Sequence, residues 1–100
     1  MKGEIVMDEI EIVQNNLVYI RKVLHLSAKE FGEFLGVSRQ CINNYESGRV
    51  KMKKTTYIAI KAIVENYRLI DENLSEKEYL LAQKLLTTKV SKVNYIKSLE

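Results

Sequence analysis

One hundred residues with 46% apolar side chains, no Pro and four Gly suit one compact, mostly helical domain and leave no length for a second, catalytic one. Sixteen basic and 13 acidic residues give a net charge of +3, too small a total to indicate a polyanionic partner on its own. A single Cys excludes an internal disulfide, and neither a secretory leader nor an apolar run of about 20 residues is evident, so the expected compartment is a reducing cytoplasm and no membrane partner is expected.

Residues 1–12, MKGEIVMDEIEI, are the hardest to assign. Ile10 and Ile12 alternate with Glu9 and Glu11 as in a short strand, while Ile5, Met7 and the acids also suit a frayed helical lead-in. A disordered terminus without assigned function is the expectation. Val13, Leu17, Ile20, Val23 and Leu24 then recur at helical spacing and predict a helix over residues 13–24, with Arg21 off the apolar stripe. His25 follows as the lone histidine; without neighbouring ligands it is expected to cap the helix or lie exposed.

Ser27 and Glu30 have the spacing of a capping box, and Phe31, Phe34 and Leu35 follow at helical intervals, predicting a helix over residues 28–35. Gly32 lies inside it at a cost of about 1 kcal/mol relative to Ala, which points to close backbone approach by the next element. Gly36 supplies a turn, Val37 is expected to pack inward, and Ser38 stands at the N-cap of a further helix over residues 39–46 that stops near Gly48. At 100° per residue, Arg39, Gln40, Asn43 and Asn44 gather on one side of that helix and Cys41, Ile42 and Tyr45 on the other. One guanidinium and three carboxamides are the groups that pair bidentately with guanine and adenine edges in a major groove. Cys41, toward the apolar side and without a resolving partner, is expected to be a small filler rather than a redox switch.

Charge is distributed unevenly. Residues 1–20 carry a net −3, residues 21–54 a net +5 and residues 55–100 a net +1, which concentrates the positive charge on the paired short helices and the loop after them. Beyond that loop, Tyr57, Ile60, Ile63, Val64 and Tyr67 predict a helix over residues 56–67, capped by Thr55 or Thr56, that completes the core. Ser75 with Glu78 repeats the capping box, and Leu74 with Tyr79 forms a candidate hydrophobic staple. From there Tyr79, Ala82, Leu85, Leu86, Val90, Val93 and Ile96 continue as one apolar stripe, more than a small core needs. The expectation is a homodimer contact made by Leu85, Leu86, Val90, Val93 and Ile96, with packing back on the chain's own domain as the competitor.

The stretch LSAKEFGEFLGVSRQCINNYESGRV resembles the core of the Cro/C1-type helix-turn-helix family of bacterial and phage transcriptional regulators, and the resemblance spans residues 16–64. Arg21, Ser27, Glu30, Gly36, Val37, Ser38, Ile42, Glu46 and Gly48 carry it at the family's spacings. It implies an all-α, lambda-repressor-like domain of four to five helices over residues 13–70, to which the capping box and apolar stripe of the tail add a helical extension over residues 71–100. It further implies base-edge contacts from Arg39, Gln40 and Asn44 with Asn43 beside them, phosphate contacts from Arg49, Lys51 and a basic residue near Lys54, and an ion pair between Arg21 and Glu46. Ala28 stands where the family often places a phosphate-contacting Gln, so Ser27 or Lys29 would take that part; Met52 stands where Pro is common.

The function expected from residues and resemblance together is sequence-specific binding of double-stranded DNA by a homodimeric transcriptional regulator, a repressor, with Ser27, Lys29, Arg49, Lys51, Lys53 and Lys54 on the phosphates. The alternative is an antitoxin or adaptor whose main partner is another protein held by the C-terminal helix. One His, one Cys and no glycine-rich phosphate loop give no catalytic set, so an enzyme is not expected, nor is a metal, a cofactor or a small-molecule effector.

Overall fold

The computed structural model describes the backbone of residues 2–100 and the side chains of residues 9–100. Every regular element among them is an α-helix: α1 (Lys2–Asn15), α2 (Leu17–Val23), α3 (Ala28–Leu35), α4 (Arg39–Ser47), α5 (Lys54–Ile70), α6 (Glu76–Leu85) and α7 (Lys92–Ser98). The chain is thus all-α, in line with the expected fold class. Serine starts four of these helices. The hydroxyls of Ser27, Ser38, Ser75 and Ser91 accept from the main-chain N–H of Glu30, Cys41, Glu78 and Asn94, satisfying a donor that the first turn leaves without an internal partner. Ser27 and Ser75 complete full capping boxes with Glu30 and Glu78.

Several boundaries differ from the sequence expectation, among them the end of α5, which runs to Ile70 instead of Tyr67. Residues 2–12 belong to α1 rather than to a strand or a disordered lead-in. The helix expected over residues 13–24 is interrupted at Asn16, whose φ of −92° and ψ of 4° separate α1 from α2. Helix α5 begins at Lys54, two residues early, because Lys53 holds the extended N-cap conformation and the main-chain N–H of Tyr57 reaches its carbonyl; neither Thr55 nor Thr56 caps it. The apolar stripe of the tail is divided between α6 and α7 by a non-helical link near Thr88–Lys89.

That last division turns the tail back on the domain. Leu85, Leu86 and Val90 are 0%, 4% and 9% exposed, inside the same core as Val13, Leu17, Ile20, Phe31, Ile42, Ile60 and Val64. They are core residues of one protomer and not available as dimer contacts, while Val93 and Ile96 remain on the surface. The cause is Asn16. Its fully buried side chain donates to the carbonyls of Leu85 (2.9 Å) and Thr88 (2.7 Å) and accepts from the main-chain N–H of Val90 (3.2 Å). A buried loop must have its backbone polar groups satisfied, and one carboxamide satisfies three of them here. Tyr95 of α7 then stacks on Tyr19 of α2 with ring centroids 4.6 Å apart, and Lys77 of α6 donates to the carbonyl of Leu99, so α7 runs back along α6.

His25 takes a left-handed conformation with φ 61° at the end of α2, where its N–H bonds the carbonyl of Lys22 and the next N–H, that of Leu26, reaches Arg21. The imidazole is exposed and pairs with the Glu78 carboxylate across the base of α6.

Candidate nucleic-acid interface

Helices α3 and α4 are set against each other by backbone contact. A Cβ at position 32 would lie 2.6 Å from the Val37 carbonyl oxygen, so only Gly permits this approach, and the Val37 N–H bonds the Gly32 carbonyl at 2.9 Å. Gly36, at φ 73°, makes the left-handed turn between the helices, and Val37 packs partly buried against the core. Ile42 and Tyr45 of α4 are buried and Cys41 is half-buried, which fixes the rotation of α4 about its axis.

The opposite side of α4 is open. Arg39, Gln40 and Asn43 are exposed along one edge, as expected from their spacing. Asn44 sits behind them, half-buried, and its side-chain oxygen accepts from Gln40 Nε2 at 3.1 Å. Asn44 thereby orients the Gln40 carboxamide while Gln40 keeps its carbonyl oxygen and a second N–H for an outside partner. Arg21 and Glu46 form a two-point ion pair, Nε to Oε2 at 2.7 Å and Nη2 to Oε1 at 3.1 Å, and Arg21 also donates to the Leu26 carbonyl. This pair ties α4 to α2 and to the start of α3 with both side chains about 15% exposed.

Arg49, Lys51, Lys53 and Lys54 are all exposed on the segment after α4. Between them Met52 is buried at 3% exposure, in the place where the resembled family often has Pro. Lys29 is exposed at the start of α3. Ser27 is less available, because its N–H donates to the Glu30 carboxylate and its hydroxyl oxygen accepts from the Glu30 N–H. The Ser27 main-chain N–H first, and the Ser27 hydroxyl beside it, hold the Glu30 carboxyl below the ordinary carboxylate range. An anion approaching this end of α3 therefore meets a carboxylate at Ser27 and a cation at Lys29.

One residue of the site was missed by sequence reasoning. Gln14 of α1 donates from Nε2 to the carbonyls of Tyr45 (3.0 Å) and Val50 (2.7 Å), and its Oε1 accepts from the Met52 N–H at 2.8 Å. Three successive carboxamides, Gln14, Asn15 and Asn16, at the seam of an otherwise apolar helical period were the available signal. No family model, curated protein or solved structure matches the chain. Among the described residues no helix is long and apolar enough to cross a membrane.

Proposed function

We propose that this chain is a transcriptional regulator of the cytoplasm that binds duplex DNA with sequence preference, α4 entering the major groove. The observation that carries this is the exposed edge of Arg39, Gln40 and Asn43 on a helix whose other side is buried, with exposed cations at Lys29, Arg49, Lys51, Lys53 and Lys54 flanking it. A helix about 10–12 Å across fits a major groove about 12 Å wide, and an edge carrying Arg, Gln and Asn offers bidentate donors and acceptors to guanine and adenine. Lys and Arg beside such an edge neutralise phosphates and set register without reading sequence. The resemblance to Cro/C1-type regulators points the same way, and repression follows from occupying an operator.

A homodimer fits this function. Adjacent half-sites lie about 34 Å apart, a spacing that two copies of a molecule measuring 34 × 29 × 24 Å can bridge side by side. Val93 and Ile96, at 61% and 47% exposure, are the dimer candidates left on the surface.

Selection from a random duplex pool tests binding, half-site symmetry and spacing together. On the selected site Arg39→Ala costs about 1–3 kcal/mol and far less on random duplex, whereas Lys51→Ala weakens both alike. With about four cationic contacts per subunit, the log–log salt slope of a dimer is close to about −7. Equal losses from Arg39→Ala on both duplexes would remove the base-reading role.

A further inference from the structure

Resting on the DNA-binding function proposed above, we infer that Gln14 is a positioning residue for phosphate contact: its carboxamide holds the segment after α4 in the shape that presents Lys51 and Lys53 to a nucleic-acid backbone.

The geometry is specific. Residues 48–53 leave α4 through Gly48 at φ 78° and enter α5 through Lys53 in the extended conformation. Between these ends the Gln14 side chain makes both of the segment's long-range polar contacts among the described residues, to Val50 midway and to Met52 near the end, and a third to Tyr45 in the last turn of α4. Met52 is buried and anchors the segment to the core, while Lys51 and Lys53 on either side of it are exposed. The bonds to Val50 and Met52 hold the peptides on both sides of Lys51. Because Tyr45 belongs to α4, the same carboxamide also fixes the cations relative to Arg39, Gln40 and Asn43 on the helix itself. A phosphate and a base edge must be met together by one rigid body; a segment free to move would have to be ordered on binding, at a cost in affinity.

Nothing in Gln14 itself touches the outer face of the lysines, and it carries no charge, so its effect on binding passes through the segment. Gln14→Met keeps the length of the side chain and removes both donors and the acceptor. The test is fluorescence-detected binding of a random-sequence duplex across a salt series, for the wild-type chain, Gln14→Met, Lys51→Ala with Lys53→Ala, and the combination, each at a temperature where circular dichroism shows it folded. Gln14→Met is expected to weaken binding about tenfold at low salt and to make the log–log slope shallower by about 1 for each phosphate contact released per subunit. Removing the two lysines is expected to cost less in the Gln14→Met background than in the wild type, the coupling that a merely structural residue does not produce. If Gln14→Met does not fold, Gln14→Glu, which keeps the acceptor for Met52 and loses both donors, takes its place, read against a charge control, Asn15→Glu. Binding by wild type and variant with equal affinity and equal slope, or strictly additive losses, overturns the inference and leaves the DNA-binding function standing. Absence of binding by the wild-type chain at low salt overturns that function, and the inference with it.

Discussion

Two faces of the molecule carry carboxamides in opposite circumstances. On α4, Gln40 and Asn43 stand exposed, and the single bond between Gln40 and Asn44 leaves most of their hydrogen-bonding capacity unused by the protein. Across the core, Asn16 is fully buried and engages both of its N–H groups and its oxygen with the backbone of residues 85–90. The same functional group stands open to solvent in one place and closes the fold in the other. What separates the two is water: an amide left open at the surface loses nothing, while one buried without partners is costly.

The contrast is broken most directly at Asn16. Asn16→Leu leaves the Leu85 carbonyl and the Val90 N–H buried without their partner, and at about 1–3 kcal/mol for each of these two groups the expected loss is about 2–6 kcal/mol, a large share of a small domain's stability. Urea denaturation measures it; a loss below about 1 kcal/mol would mean that water replaces the side chain. Next in size is Glu46→Ala, which strands the Arg21 guanidinium. Full burial would make this about 3–5 kcal/mol. The pair is 14–15% exposed and Arg21 keeps its bond to Leu26, so about 2 kcal/mol is expected, again by denaturation. An unchanged melting temperature would remove the pair from the account of how α4 is held.

The smallest effect concerns the capping boxes. Glu78, like Glu30, is held below the ordinary carboxylate range, by the Ser75 main-chain N–H first and by the His25 side chain as well, against a smaller opposing effect of desolvation. Since the unfolded chain takes up protons near the ordinary value of 4.5, both boxes stabilise the protein above that pH and lose their contribution as the pH falls below it. Denaturation midpoints measured down through that range are expected to fall, and to fall less in Ser75→Ala.

Legibility in the sequence followed the length of the contact. Ser27, Ser38, Ser75 and Gly36 act within four residues of themselves, so the helix starts and the turn between α3 and α4 could be read from spacing alone, and with them the open edge of α4. Gly32 announced its close approach by being out of place in a helix. Arg21 and Glu46 came only with the family resemblance. Gln14 and Asn16 act across 31 to 74 residues, and a polar side chain in an apolar period does not say what it will meet. The tail misled for the same reason. Its stripe keeps a helical period through residues 87–91, where the backbone has left the helix and the Val90 N–H bonds the Asn16 side-chain oxygen instead. Ser91, with Asn94 three residues on, was the local mark of a fresh start at α7.

The exposed edge of α4 has a bearing on descent as well as on binding. Arg39, Gln40 and Asn43 support no core packing, so exchanging them leaves the scaffold intact and changes only which surface it would recognise. Retargeting by a few substitutions at these positions would demand no compensating change elsewhere, whereas any side chain at Gly32, or the loss of the carboxamide at Asn16, disturbs the scaffold itself.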